Sequence, residues 1–210
     1  MLNNSSIFQS TTVGMGSVGG FFTFPNAATI YGISNNHVIA GLNSGKVDDP
    51  IFDRQNRQIG QLKFWLTLNG GGVTNFLDAA LFEYTGPTPP VWRILGNAAP
   101  KPFDFIEPRL DGHVYMMRED NTARLGRITD PQTSAVINFQ LSGQHFSFSN
   151  LIEIVALDGR PFSNPGDSGN IILSSTHNIV GLLLGAATGG AKSYAMPFVD
   201  GILDFLPLVI

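Results

Sequence analysis

The chain has 210 residues, 43% of them apolar and 13% charged, with a formal net charge of −4. This balance supports a sizeable buried core and excludes a disordered chain; its 12 lysines and arginines form no dense basic run, so a generally nucleic-acid-binding surface is not indicated. Cysteine is absent, which excludes disulfides and thiolate-held zinc or iron–sulfur centres.

The first residues, Met1-Leu2-Asn3-Asn4-Ser5-Ser6, lack the basic start and apolar stretch of a signal peptide. No apolar run approaches the ~18 residues that span a bilayer. A cytoplasmic protein without membrane contact is expected. The 24 glycines and 13 prolines are spread along the chain, with short β-prone runs between them. Strands are expected at Val18–Phe24, Thr29–Ser34, Gln58–Leu66, Ala79–Tyr84, His113–Met117, Ala135–Leu141, Leu151–Leu157, Asn170–Ser174 and Asn178–Leu184. Helical periodicity is scarce, with short candidates at Glu107–Gly112 and Val199–Phe205.

The Pro-rich stretch from Gly86 to Pro102 reads as a connection between two halves. The expected fold is all-β: two packed six-stranded antiparallel β-barrels, with a ligand cleft between them and a short C-terminal helix. Residues 1–88 form the first barrel, 89–106 the linker and 107–210 the second barrel.

Three segments carry chemistry. Ser34-Asn35-Asn36-His37-Val38 places a histidine after a β-prone run, Asp78 opens the apolar strand Ala79–Phe82, and Ser168 sits in Gly166-Asp167-Ser168-Gly169. A serine hydroxyl is a weak nucleophile until an imidazole takes its proton and a carboxylate orients that imidazole. Alone, His37 reads as a core or surface histidine and Asp78 as a strand-start residue. Gly166 and Gly169 permit backbone conformations closed to other residues, so the Gly166 and Ser168 N–H groups could converge on an oxyanion.

Rival layouts fit worse. The α/β-hydrolase elbow, G-x-S-x-G, meets Asn170 at its last position, and both later aspartates, Asp200 and Asp204, follow His177 rather than precede it. A subtilisin-like order needs an acid before the base, and residues 1–36 hold none. His113, His145 and His177 show no close metal-ligand spacing. Gly70-Gly71-Gly72 lacks the Lys-Ser/Thr of a phosphate loop, and Trp65 and Trp92 read as core aromatics.

Taken in order, the three segments resemble the chymotrypsin-like (trypsin-like) serine peptidases, and most of all bacterial members with a Ser-Asn-Asn-His-Val motif. The resemblance runs from about Gly16 to the C-terminus. It implies His37 as general base, Asp78 as its orienting acid and Ser168 as nucleophile, with the oxyanion hole at the Gly166 and Ser168 amides. It places a substrate pocket at Phe162, Ser163 and Asn164 and along Leu184, Gly185 and Ala186, closed by 188–190. No acid lies in these segments, so cleavage after Arg or Lys is not expected, and a small or medium apolar residue is preferred.

The family also needs a cation for the residue before the nucleophile, here Asp167. Arg118, Arg124 and Arg127 all qualify, and the sequence does not choose among them. Were that partner missing, an activating protein or self-association would have to order the turn. The function expected is a serine endopeptidase of non-tryptic specificity, needing no cofactor and taking a polypeptide substrate, with activity rising as the base histidine loses its proton. The alternatives are a non-catalytic peptide-binding module on the same fold and an esterase or amidase using the same three residues.

Overall fold

The structure, a computed structural model, describes residues 6–9, 16–23, 28–86, 104–118, 120, 122–139, 142–187 and 189–206. Most of the expected linker 89–106, together with Trp92, lies outside them.

The first half contributes β1 (Ser6–Gln9), β2 (Gly16–Ser17), β3 (Gly20–Thr23), β4 (Ile30–Ser34), the one-turn helix α1 (Asn36–Ile39), β5 (Pro50–Asp53), β6 (Gln58–Trp65), β7 (Thr74–Asn75) and β8 (Ala80–Tyr84). The second contributes β9 (His113–Met117), β10 (Ala123–Phe139), β11 (Gln144–Ala156), β12 (Ile171–Ser174), β13 (Ile179–Ala186) and β14 (Ser193–Pro197). A helical segment follows at Phe198–Ile202 and Leu203–Phe205, where the sequence suggests one. Glu107–Gly112 is not helical.

The first sheet runs β2-β1-β5-β6-β8-β4-β3. Its two end strands, β2 and β3, are separated in the chain by only Val18 and Gly19. The two ends of the sheet must therefore meet, which curls it into a barrel. The second runs β10-β9-β12-β13-β14-β11 and closes through β10–β11 pairing, giving six strands. β7 departs from the two-half division, because it pairs in parallel with β11 of the second barrel (Ser147↔Thr74, Phe148↔Asn75).

Strand alternation divides the core into three. Ala80 and Phe82 of β8 face a first-barrel cluster with Val38, Ile39, Ile51 and Leu62. Ala79 and Leu81 face the other way, into a layer shared with Leu173, Leu182, Leu184, Met196 and Phe205 of the second half. Val114, Met116, Ile154, Phe162, Val180 and Leu183 fill the second barrel. Strands buried on both faces explain runs such as Ile179–Leu184 that do not alternate with polar residues. The shared layer joins the halves and includes Ala79, the residue after Asp78. Trp65 packs half-buried against the first cluster, as a core aromatic should.

β1, β2, β5, β7 and β14 lie outside the expected strands, and β10 and β11 run longer than expected. β5 begins at Pro50, β14 ends at Pro197, and β10 runs through Pro131, where its register with β11 shifts between Asp130 and Thr133. A proline lacks the ladder N–H and is tolerated at strand ends and bulges, which is where these lie. β1 precedes every expected strand.

The β5–β6 hairpin is closed by a buried carboxylate. Asp53 Oδ1 accepts from the N–H groups of Gln55 and Arg57 at 2.9 Å each, and Oδ2 accepts from Arg57 Nε at 2.8 Å. Burial works to raise the Asp53 pKa, but the Arg57 guanidinium and these hydrogen bonds together hold it below the ordinary carboxylate value. A depressed folded-state pKa contributes stability that is complete above the unfolded value of about 3.9 and is lost as pH falls through the folded one. Asp53→Asn is expected to destabilise the fold by about 1–2 kcal/mol at neutral pH. In urea unfolding followed down to about pH 2, that gap should close as the wild-type carboxylate takes up its proton.

Candidate active site

His37 is placed by two asparagines that are fully buried. Asn35 has an extended backbone and stands at the cap of α1, while its Nδ2 donates to the Asp78 carbonyl at 2.8 Å. Asn36 Nδ2 donates to Asn43 Oδ1 at 2.7 Å and to the Leu66 carbonyl at 2.6 Å, and its Oδ1 accepts from Asn43 N at 3.0 Å. The pair thus fixes α1 against β8 on one side and the loop after β6 on the other. An apolar residue at either position would strand these carbonyls and could not direct the helix.

Asp78 holds His37 at two points. Its Oδ2 meets His37 Nδ1 at 2.5 Å, and its Oδ1 accepts from the His37 backbone N–H at 3.1 Å. Asp78 is fully buried, and its N–H donates to Met196 Sδ of the second barrel at 2.9 Å. An ionised carboxylate only accepts, so Nδ1 carries the proton and Nε2 is left as an acceptor. The imidazole also packs at a tilt against Phe139 of β10, with ring centroids 4.5 Å apart and planes at 35°.

Ser168 lies in a loop of two consecutive turns between Asn164 and Asn170. Asp167 N donates to the Asn164 carbonyl at 3.0 Å, which closes a turn with Pro165 and Gly166 at its centre. Proline is favoured at the first central position, and Gly166, with φ +95°, supplies the left-handed backbone that a type II turn needs at the second. Among the described residues, neither the Gly166 N–H nor the Ser168 N–H has a protein acceptor. Two amides left open on one loop can receive an anionic oxygen.

The base and the turn are brought together by close backbone approach. A Cβ added at Gly16 would overlap the Val38 methyls, next to His37, and touch the Ser168 carbonyl at 3.0 Å. One added at Gly169 (φ +85°) would collide with the Ser17 carbonyl and with Ser34 Oγ. No hydrogen bond joins Ser168 Oγ to His37 among the described residues; such bonds are commonly long before substrate binds.

Of the three arginines, Arg118 is the partner of Asp167. Its Nη2 donates to Asp167 Oδ2 at 3.0 Å, and the same oxygen accepts from Asn164 N at 2.8 Å. Arg124 instead binds Asp158 at 2.8 Å, and Arg127 binds Asp111 at 2.6 Å. Hydrogen bonds from Arg124 and Arg160 hold Asp158 far below the usual carboxylate range.

The expected pocket residues divide. Gly185 faces the nucleophile, since a Cβ there would lie 4.0 Å from Ser168 Oγ. Asn164 and Ala186 are exposed. The Phe162 ring is buried in the second-barrel cluster, where it fills the space beside Gly126. Leu184 is buried in the shared layer. Ser163 Oγ and Ser193 Oγ form a buried pair at 2.7 Å. Sequence reasoning missed Phe139 and Ser17, because an aromatic in a strand and a serine among glycines carry no motif.

No protein-family model matches the chain, and no curated protein matches it. Solved structures do. Thermobifida fusca Protease A superposes with a TM-score of 0.62 at 12% identity, over 96% of this chain and 94% of its own. A glutamic acid specific serine protease gives 0.65 at 13% identity, over 98% and 97%. Cellulomonas bogoriensis chymotrypsin gives 0.59 at 15% identity, over 97% and 94%. Likeness over nearly the whole length of each chain, together with the two barrels described above, shows that this chain has the chymotrypsin-like double-β-barrel fold of bacterial serine proteases.

Proposed function

We propose that the chain is a serine endopeptidase acting through an acyl-enzyme. The observation that carries this is the His37–Asp78 pair held beside a turn with two open amides. In this reading Ser168 Oγ attacks the peptide carbonyl carbon while His37 Nε2 takes its proton. The carbonyl oxygen becomes an oxyanion and is received by the Gly166 and Ser168 N–H groups. The C–N bond breaks as Nε2 returns the proton to the amine. Water then repeats the sequence on the ester, releasing the acid and restoring Ser168.

A pocket without tryptic specificity belongs to the proposal. Neither Phe162–Asn164 nor Leu184–Ala186 holds a carboxylate for a substrate Arg or Lys. Glu153 is engaged by Lys192 Nζ at 2.8 Å and Thr129 Oγ1 at 2.7 Å. Digestion of a proteome-derived peptide library, beside labelling with a fluorophosphonate, tests the assignment. Cleavage after small or medium apolar residues, with labelling, supports it. Cleavage after Arg or Lys overturns the specificity, and absence of both cleavage and labelling overturns the activity.

The reading also has the turn formed within the chain, because Arg118 already pairs with Asp167. Arg118→Ala is expected to lower kcat/KM by about 10-fold to 100-fold through misalignment of the turn amides. Arg124→Ala and Arg127→Ala, whose guanidiniums bind other carboxylates, should leave it within about twofold. Steady-state kinetics on the three variants checks this.

A further inference from the structure

We infer that Ser17 is a positioning residue for the oxyanion-binding turn, a role that rests on the peptidase reading and assigns to the first barrel a part in shaping the second barrel's amides. Ser17 is buried on β2 and makes two bonds to the turn. Its Oγ donates to the Gly166 carbonyl at 3.0 Å, and its N–H donates to the Ser168 carbonyl at 2.7 Å. Its own carbonyl accepts from Ser34 Oγ at 2.8 Å, three residues before His37. One residue therefore ties the strand that leads into the base to the turn that carries the nucleophile.

The peptide planes show what these bonds do. The Gly166–Asp167 plane is held at both ends, by Ser17 Oγ on its carbonyl and by the Asn164 carbonyl on its N–H. The Ser168–Gly169 plane is likewise held at both ends, by Ser17 N and by the Leu183 carbonyl, which accepts from Gly169 N at 2.9 Å. The Asp167–Ser168 plane between them is anchored by Asn170 N on its carbonyl at 3.0 Å. The Ser168 N–H is thus left open in a plane whose carbonyl is engaged, between two planes held at both ends.

Packing does not supply this restraint at Gly166, where a Cβ would meet nothing within 4 Å. A glycine with open space around it rotates unless hydrogen bonds stop it. Removing the Ser17 hydroxyl frees one end of the Gly166–Asp167 plane and, through the Gly166 dihedrals, lets its N–H turn away from the oxyanion position. Donors that stabilise only the transition state act on kcat and leave KM alone.

The test is Ser17→Ala, which keeps the backbone bond and deletes only the hydroxyl. The expected result is a loss in kcat of about 10-fold to 100-fold with KM within about twofold. The affinity of a peptide boronic acid, whose tetrahedral adduct places an oxygen at the same amides, should fall by the same factor. The pH midpoint of kcat should stay in place, since His37 and Asp78 are untouched. If Ser17→Ala shows no cooperative melt, Ser17→Cys, similar in shape but a weaker donor, carries the same measurements. A folded variant with kcat within about twofold of wild type, or one that loses kcat but not boronic acid affinity, overturns the role. A wild-type chain that neither cleaves peptides nor reacts with a fluorophosphonate overturns the peptidase reading, and this role with it.

Discussion

Ser168→Ala is expected to lower peptide hydrolysis by on the order of 10⁶-fold in kcat. On the proposed mechanism, without Oγ no acyl-enzyme forms and His37 has only water to activate. What remains is the turn: the Gly166 and Ser168 N–H groups still point outward and still polarise a bound carbonyl, which leaves about 10³–10⁴ over the uncatalysed reaction. The substitution should cost the fold little. Ser168 is half-buried, and its carbonyl bond to Ser17 N belongs to the backbone and survives. Melting should therefore match wild type while fluorophosphonate labelling disappears. A Ser168→Ala protein that still takes up the probe would place the nucleophile elsewhere in the chain.

The residues of the site were legible because their chemistry is local. Asn35, Asn36 and His37 are contiguous, and their polar atoms must be bonded wherever a buried turn puts them, so the motif carries its own constraint. The Gly166–Gly169 turn is similar: left-handed φ at Gly166 and Gly169 favours glycine at both, and at Gly169 the approach of the Ser17 carbonyl leaves no room for a side chain. The partner of Asp167 was not legible. Arg118, Arg124 and Arg127 all lie on or beside the β9–β10 hairpin, and only its register, with Arg124 opposite Met116 and Arg127 opposite His113, leaves Arg118 at the end that meets the turn. That register is set by the hydrogen bond from Arg118 N to the Thr122 carbonyl at 2.9 Å together with the pairing of β9 with β12, and no residue type announces it.

The strands were less legible than the site for the same reason. Ala135–Leu141 and Leu151–Leu157 read as two short strands, yet residues 135–139 and 151–156 are the C-terminal parts of β10 and β11, which together form one long hairpin. The residues that precede each of them, 123–134 with Asp130 and Pro131 and 144–150, are extended because each strand pairs with the other. The consequence reaches the site: the length of that hairpin is what carries Phe139 onto the His37 ring and Ser147 onto Asn75, whose Nδ2 donates to the Ser147 carbonyl at 3.1 Å.

Asp78→Asn should be the next most damaging change, with kcat lowered by on the order of 10⁴ at neutral pH. The reason is tautomeric. The carboxylate accepts from both the His37 backbone N–H and Nδ1, and an amide can keep only one of these acceptors. With its oxygen on the backbone N–H, the amide presents Nδ2 to the ring and donates where it should accept. Nδ1 then loses its proton, Nε2 gains one, and the imidazole faces Ser168 with a hydrogen in place of a lone pair. The shape of the site is preserved, since Asn and Asp are isosteric and Asn35 Nδ2 still bonds the Asp78 carbonyl. Melting should shift by only a few degrees, as expected for a loss of about 1 kcal/mol. The low-field proton resonance of His37 Nδ1 should vanish from the NMR spectrum. A variant that keeps both that resonance and its activity would remove Asp78 from the mechanism and leave it as an anchor for α1.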